Sequence, residues 1–317
     1  MKIGGDIMQN KGPERLTLLA FIVSTILAGN NAIAVRFSNV ELPPFFGAAV
    51  RFAAASLILF VIVLAIRLPL PKGRSLTGAL VFGALQFGIS YALIYWSLLR
   101  VPAGLFQVIL ALVPLLTFLL AMLHRQESFQ WRILIGGLIA VAGIAIIFRD
   151  SINTNIPLPA LLAIILSAAC IAESVVLLKG FPKSHPVTTN ALAMGMGAMI
   201  LFAMSWLFRE SPQWPTQART WMAVLYLVLF GSIVTFVLAL YVLSHWTASA
   251  TSYQLVLMPL VTVLFAAWLA NEIVTLAVIV GGLLVLVGVC IGVLPPPDFF
   301  KKATSRGRGV QELNTPK

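Results

Sequence analysis

The sequence is poor in charge. Only 10% of its 317 residues are Asp, Glu, Lys or Arg and 60% are hydrophobic, whereas soluble domains carry roughly a quarter charged residues. A helix needs about 20 apolar residues to cross about 30 Å of hydrocarbon, and runs of that length fill almost all of residues 16–294. The composition excludes a sizeable soluble domain and indicates an integral membrane protein.

Cysteine and histidine are also scarce. Cys170 and Cys290 fall inside hydrophobic runs, so no disulfide framework is expected. His124, His185 and His245 fall at the ends of runs without the spacing of metal ligands. We therefore expect no enzyme, metal or cofactor. A membrane-embedded enzyme acting on a lipid or an isoprenoid phosphate is the alternative of another class, and it would need clustered acids, histidines or arginines at one membrane face.

The hydrophobic runs are typical of helices, because they exceed the roughly 9–11 residues of a barrel strand and show no alternation of apolar and polar residues. Breaks at Pro, Gly and clustered charges divide them. The sequence thus predicts an all-α integral membrane protein with ten transmembrane helices. The spans are 16–37, 43–66, 75–98, 102–123, 131–148, 157–179, 186–208, 218–243, 247–269 and 274–294.

The basic residues predict an orientation. With ten crossings both termini lie on one side, and roughly three quarters of the Lys and Arg residues fall on that side, so the positive-inside rule places residues 1–15 and the basic tail 295–317 in the cytoplasm. We call this side the basic side. The net charge of +11 is interpreted as attraction to lipid head groups rather than nucleic acid, because no basic and aromatic nucleic-acid module occurs.

An internal repeat runs through the chain. QESFQWRILIGGLIAVAG at 126–143 matches NEIVTLAVIVGGLLVLVG at 271–288, a shift of 145 residues. The shift superposes Pro114 on Pro259, Glu127 on Glu272, and Gly136, Gly137 and Gly143 on Gly281, Gly282 and Gly288. The glycines are expected to permit close helix packing. Each glutamate precedes a helix, whose dipole favours a carboxylate, so a structural role is expected.

The repeat divides the chain into two halves of five helices, residues 16–149 and 150–294. The first helices match at a shift near 142, which superposes Pro44 on Pro186. An odd number of crossings forces the two copies into opposite orientations. Inverted repeats place a binding site between the halves near the midplane and open it to each side in turn. The sequence therefore predicts a transporter scaffold. No Walker A segment occurs, so ATP is excluded as the direct energy source.

The chain resembles the EamA family of the drug/metabolite transporter superfamily. The resemblance is carried by AGNNAIAVRFS (28–38), PPFFGAAVRFAAASL (43–57) and the two acid-then-glycine segments quoted above. It implies ten helices in two inverted halves around a central cavity, and transport of small metabolites, often amino acid export. Two departures matter. Ala28-Gly29 stands where the family often has Trp-Gly, and the second half has no arginine matching Arg51.

Two ionisable residues lie deep within predicted spans, where charge is costly and a functional role is the default hypothesis. Arg51 lies ~12 Å from the outer end of its helix, and Glu173 lies ~9 Å from the basic end of its helix. Arg51 is either a clamp on backbone carbonyls or a contact for a substrate carboxylate. Glu173 is either a buried, hydrogen-bonded acid or a site of proton coupling or amine binding.

Further candidates are polar or aromatic residues near mid-span and prolines that would kink a helix. The predicted substrate-binding set is Asn31, Arg51, Tyr91, Tyr95, Gln107, Glu173, Tyr253 and Gln254, and the predicted kinks are Pro114 and Pro259. Phenols and amides suit an amphipathic solute with an aromatic or apolar body.

The leading hypothesis is a secondary transporter of the bacterial inner membrane that exports small zwitterionic or aromatic metabolites such as amino acids. Its partners would be a small-molecule substrate and the lipid bilayer, with no nucleic acid, and it would act as a monomer or homodimer. A proton gradient or facilitated diffusion would drive it. Uptake of a vitamin, sugar or quaternary amine is the alternative.

Overall fold

The structure is a computed structural model and describes residues 15–98, 100, 101, 106, 109–147, 149, 157–270 and 275–293. Throughout this part of the chain the regular elements are helices. Gln107 and Glu272 fall outside the described residues.

In the first half, seven α-helices and one π-helical segment are described. They are α1 (Arg15–Gly29), α2 (Asn31–Ser38), α3 (Pro44–Ala65), α4 (Arg74–Gly83), the first π segment (Ala84–Ile89), α5 (Ser90–Leu98), α6 (Val113–Leu123) and α7 (Trp131–Ile147). The first π segment joins α4 and α5 into one membrane crossing.

The second half is built from the same parts. They are α8 (Leu158–Gly180), α9 (Pro186–Leu207), α10 (Ala218–Val228), the second π segment (Leu229–Val234), α11 (Thr235–His245), α12 (Ala248–Ser252), α13 (Gln254–Ala270) and α14 (Leu276–Val293). Among the described residues, five helical stretches are long and apolar enough to cross a membrane by length and composition: Pro44–Ala65, Arg74–Ser97, Leu158–Gly180, Pro186–Leu207 and Ala218–His245.

Three of the predicted spans are interrupted, and the ninth of the ten breaks at Tyr253, between α12 and α13. The first breaks at Asn30, whose side-chain Nδ2 donates to the Ile26 carbonyl oxygen at 3.2 Å, a local bond that competes with the helix. The fourth turns at Ala111 and Leu112, and Pro114 then lies in the first turn of α6. Pro114 thus begins a helix instead of kinking one, because its missing N–H is harmless there. Pro259 lies inside α13.

The repeat is visible in the helix boundaries. The two π segments begin at Ala84 and Leu229 and end at Ile89 and Val234, which the 145-residue shift superposes. The bounds of α3 and α9 superpose at the shift of 142. Because a π segment inside a helix is rare, two at equivalent positions show that the halves share their local geometry as well as their hydrophobic pattern.

The two halves are inverted, as the packing of α7 against α14 shows. A methyl group built on Gly136 would lie 2.6 Å from the Gly288 carbonyl oxygen, and one on Gly143 would lie 2.6 Å from that of Gly281. Gly136 is equivalent to Gly281 and Gly143 to Gly288, so parallel helices would pair equivalent residues. The crossed pairing means that the equivalent helices run antiparallel.

A second pair of equivalent helices, α3 and α9, has the same arrangement. Phe45 at the start of α3 contacts Phe208 just after α9, with ring centroids 5.1 Å apart. Ser56, further along α3, donates to the Ala191 carbonyl oxygen near the start of α9 at 2.7 Å. The predicted fold class, all-α with two inverted five-helix repeats, is confirmed.

Candidate functional site

The buried guanidinium of Arg51 joins the two halves. Arg51 projects from α3 and is 2% exposed. Its Nε donates to the Ser232 hydroxyl at 2.7 Å and its Nη2 donates to the Gly231 carbonyl oxygen at 2.9 Å. Both acceptors belong to the second π segment, in the other half of the chain. A buried cation is costly unless its donors are bonded, and the π segment supplies the acceptors.

Aromatic rings surround the guanidinium. Its central carbon lies 5.0 Å from the ring centroid of Phe52 and 5.9 Å from that of Tyr91. The Tyr91 and Tyr95 rings are 6.2 Å apart, and Tyr95 interacts with Arg51. Cation–π contacts of this kind stabilise a desolvated guanidinium. Arg51, Tyr91 and Tyr95, predicted separately from the sequence, are therefore brought together; we call them, with Asn31, Phe52, Gly231 and Ser232, the Arg51 cluster.

Asn31 brings a second polar group to the same carbonyl. Its Nδ2 donates to the Gly231 oxygen at 3.2 Å, while its Oδ1 is buried without a hydrogen-bond partner. Any side chain at Gly231 would collide with Asn31. Glycine at this position therefore lets α2 and Arg51 reach the backbone, and leaves an amide oxygen available in the cluster.

The equivalent region of the other half is closed. The residue that replaces Arg51 under the shift of 142 is Ala193, and its backbone lies against Gly83 at the entry to the first π segment. That π segment instead bonds α8: Ser174 donates to the Gln86 side-chain oxygen at 2.8 Å. The charged cluster thus belongs to one side of a pseudosymmetric fold.

Glu173 lies apart from the Arg51 cluster and pairs with a histidine. Its Oε1 is 2.9 Å from His124 Nε2, just beyond the end of α6. Its Oε2 is buried without a hydrogen-bond partner. The pair connects the two halves on the basic side, since α6 belongs to the first half and α8 to the second.

Two other predicted residues lie away from the cluster. Tyr253 is fully buried between the halves, where its hydroxyl donates to the Ile133 carbonyl oxygen at 3.0 Å and fits against Gly292. Gln254 is buried at the start of α13.

Three functional contacts were missed by the sequence analysis: Gly231 and Ser232 as acceptors for Arg51, and His124 as the partner of Glu173. The pairing of His124 with Glu173 could have been predicted, because the helix that ends at Leu123 and the helix that ends at Gly180 end on the same side of the membrane. Gly231 and Ser232 carried none beyond small size.

Besides Glu173, three glutamates in the described part of the chain each bond the half to which they do not belong. Glu41, between α2 and α3, accepts from the Thr216 and Gln217 backbone amides at 3.1 and 3.2 Å. The Thr216 hydroxyl also donates to Glu41. This bond contributes most to lowering the pKa of Glu41 to about 2, and the bond from the Thr220 hydroxyl contributes next.

Glu210 makes the reciprocal contact on the same side of the membrane as Glu41. This side lies opposite the basic side, and we call it the outer side. It accepts from the Phe45 and Phe46 amides at 3.0 and 2.8 Å, at the start of α3. On the basic side Glu127 accepts from the Ser249 amide at 3.1 Å. The expected structural role of Glu127 therefore involves the start of α12 in the other half, where free N–H groups favour a carboxylate, rather than the helix that follows it.

A pocket opens at the basic end of the second half. It lies between α8, α9 and α11, and its lining includes Lys179, Lys183, Ser184, Thr189 and Leu243. Lys179 donates to the carbonyl oxygens of Leu243 and Trp246, and Lys183 to that of Ser244 at 3.1 Å. These bonds satisfy the last carbonyls of α11.

An all-α membrane protein of two inverted halves, with a buried cation bonded across them, has the architecture of a secondary carrier. The model of the EamA-like transporter family matches residues 15–149 and 158–294. The chain belongs to this family and is a membrane transporter.

Similar proteins span most of the chain. An Escherichia coli K12 protein named YedA, described as an uncharacterized inner membrane transporter, is 29% identical over 253 residues, covering 78% of this chain and 80% of its own. The Bacillus subtilis protein YoaV, an uncharacterized transporter, is 25% identical over 280 residues, with 86% and 94% covered. A solved crystal structure with 17% identity has the same fold, with a TM-score of 0.73 over 87% of this chain and 95% of its own.

Proposed function

We propose that the chain is a secondary transporter that exports a small solute carrying a carboxylate and an aromatic or apolar body, most simply an amino acid. The solute binds at the Arg51 cluster, and the two inverted halves expose the cluster to each side of the membrane in turn. A proton gradient or facilitated diffusion drives the flux.

The observation that carries the proposal is a buried cation among aromatic rings at the contact between the halves. Two of the three guanidinium nitrogens bond Ser232 and Gly231. The guanidinium also interacts with Tyr95, and its N–H groups on that side would pair with a substrate carboxylate, since charge-assisted bonds to guanidinium are strong in a desolvated site. The rings of Phe52, Tyr91 and Tyr95 would hold the solute body, and Asn31 Oδ1 would accept from its ammonium group.

The same charge argues against a quaternary amine. An aromatic site binds a quaternary amine by stabilising its positive charge. The guanidinium of Arg51, 5.0 Å from the Phe52 ring centroid, would repel that charge. A choline-like substrate is therefore disfavoured. A vitamin that carries a carboxylate and a sugar are the alternative substrates.

We further propose an inner-membrane location with both termini in the cytoplasm. The named relative YedA is an inner membrane transporter, and the excess of Lys and Arg on the basic side supports the orientation. Export then moves solute from the basic side to the outer side, past the Arg51 cluster.

The function is tested by counterflow with the full chain in proteoliposomes. Vesicles loaded with unlabelled phenylalanine should accumulate labelled phenylalanine transiently, and excess tyrosine or leucine should compete while choline should not. Export is tested by efflux from preloaded cells, with and without a pH gradient. Exchange of choline or a sugar without exchange of any amino acid would overturn the substrate class.

A further inference from the structure

We propose that the His124–Glu173 pair is a proton-binding gate on the basic side: the protonated pair holds α6 against α8, and loss of the proton allows the halves to separate there. The inference rests on the proposed alternating access of the two halves. It does not depend on the carboxylate preference of the Arg51 cluster.

The geometry places a titratable contact at the junction of the halves. His124 Nε2 and Glu173 Oε1 are 2.9 Å apart, and the two side chains remain 34% and 27% exposed, so water from the basic side can exchange protons with them. The neighbouring Gln126 donates from Nε2 to the Val176 carbonyl oxygen at 2.9 Å, and Glu127 bonds Ser249. Residues 124–127 therefore form one inter-half contact segment.

Other titratable or charged groups lie on α8 itself and on the elements packed against it. Lys179 lies on α8 itself. The elements packed against α8 carry the others: Arg74 on α4; Tyr91 and Tyr95 on α5; His124, Arg125 and Glu127 just after α6; and Tyr241 and His245 on α11. Lys179 bonds the carbonyls that end α11, and His245 Nδ1 lies 2.9 Å from the Tyr241 oxygen. Within the described part of the chain, His124 is the group that bonds the Glu173 carboxylate.

Within the described residues, the inter-half bonds of Glu41 and Glu210 on the outer side involve no histidine. Both glutamates accept from backbone amides, and the pKa of Glu41 is lowered from 4.5 to about 2. The outer bonds of Glu41 therefore stay intact at any pH above about 4.5. Histidine is the side-chain type whose charge commonly changes between pH 5 and 8, and among these inter-half contacts it occurs in the basic-side pair.

The sign follows from the charges. When the imidazole of His124 carries a proton it faces an ionised carboxylate, and the ion pair favours the closed arrangement. When the imidazole loses that proton the charge attraction is lost, and one neutral tautomer retains only a hydrogen bond. Because partly exposed pairs contribute little, we expect the closed-to-open ratio to change about threefold, equivalent to about 0.7 kcal/mol.

The test measures the distance between the halves without any solute. Spin labels are placed at Ser128→Cys and Lys183→Cys, after α6 and α8, in a chain with Cys170→Ala and Cys290→Ala, reconstituted in lipid nanodiscs. Distance distributions are recorded at pH 5.5 and 8.0. The ratio of short to long distances should be about threefold higher at pH 5.5.

The other histidines supply matched controls. His124→Gln and Glu173→Gln should each remove the pH dependence, whereas His185→Gln and His245→Gln, also on the basic side, should retain it. A pH-independent distribution in the labelled chain itself, or loss of the response in His245→Gln, would overturn the gate. Amino acid counterflow is measured separately, so failure of the proposed substrate class would leave this distance result unchanged.

Discussion

At the scale of single residues, the bonds of Arg51 show the clamp on the other half and are compatible with the proposed substrate contact. Nε and Nη2 bond the second π segment, and under the proposed function the substrate carboxylate would pair with the N–H groups that these bonds do not use. The bonds to Ser232 and Gly231 fix the orientation of the whole guanidinium group. A charge that is already oriented binds a ligand with less loss of entropy.

Arg51→Lys tests this division. A lysine keeps the charge but provides a single ammonium, which cannot bond Ser232 and Gly231 and still present a fixed donor. We expect transport efficiency to fall about tenfold, equivalent to about 1.4 kcal/mol, measured as initial counterflow rate against solute concentration. Arg100→Lys, an exposed arginine stacked on Trp96, should behave as wild type. Unchanged transport by Arg51→Lys would remove Arg51 from the site.

The sequence identified the residues that needed partners but not the partners. Arg51 and Glu173 stand out because a charge inside hydrocarbon is costly. Gly231 lies 180 residues from Arg51 and His124 lies 49 from Glu173, so both contacts depend on the three-dimensional arrangement of the halves. Tyr253 shows the reverse: a phenol near mid-span resembled a cavity residue, and the fold uses it to bond the Ile133 backbone.

At the scale of elements, nine of the ten predicted spans correspond closely to described helices, because hydrophobic length alone determines where a chain crosses the bilayer. The fourth span is described only in part, with α6 as its longest helix. The π segments were not predicted. Each contains a Phe-Gly pair, Phe87-Gly88 and Phe230-Gly231, but that dipeptide is too common to indicate a π turn. The second π segment matters for function because its altered backbone offers the Gly231 carbonyl to Arg51 and Asn31.

The glycine contact between α7 and α14 allows a test with adjacent residues. Gly281→Ala would place a methyl group 2.6 Å from the Gly143 carbonyl oxygen, whereas Gly282→Ala meets its nearest neighbour, Leu260, at 3.5 Å. Overpacking against backbone costs about 1–3 kcal/mol. We expect Gly281→Ala to lower the apparent Tm of the purified protein by several degrees and Gly282→Ala to leave it nearly unchanged. Equal shifts would mean that α7 and α14 do not pack through these glycines.

At the scale of the whole molecule, the inter-half contacts differ between the two sides of the membrane. On the outer side Glu41 and Glu210 each accept two backbone N–H bonds across the halves. On the basic side Ser75, in the first turn of α4, donates to the carbonyl oxygen of Pro182, in the turn between α8 and α9, at 3.2 Å, and this bond is exposed. The basic side also has the Glu127–Ser249 bond and the His124–Glu173 pair, so charge-assisted bonds, which are about twice as strong as neutral ones, join the halves on both sides. The outer side differs in that both of its glutamates bond pairs of backbone amides.

Glu210→Ala should therefore favour opening on the outer side. It removes both acceptors for the Phe45 and Phe46 amides, and hydrogen bonds to charged groups contribute about 1.5–3 kcal/mol each, so even partial loss should raise the open population about tenfold. Spin labels at Val40→Cys and Gln213→Cys, exposed residues of opposite halves on this side, would report the separation. Glu210→Gln keeps one acceptor oxygen and should give a smaller shift.

Because the pKa of Glu41 lies near 2, its stabilising contribution is complete above pH 4.5 and lost as the pH falls towards 2, so the wild-type distance should not change between pH 5.5 and 8.0. A pH-dependent outer distance, or no separation in Glu210→Ala, would show that these carboxylates do not hold the outer side closed.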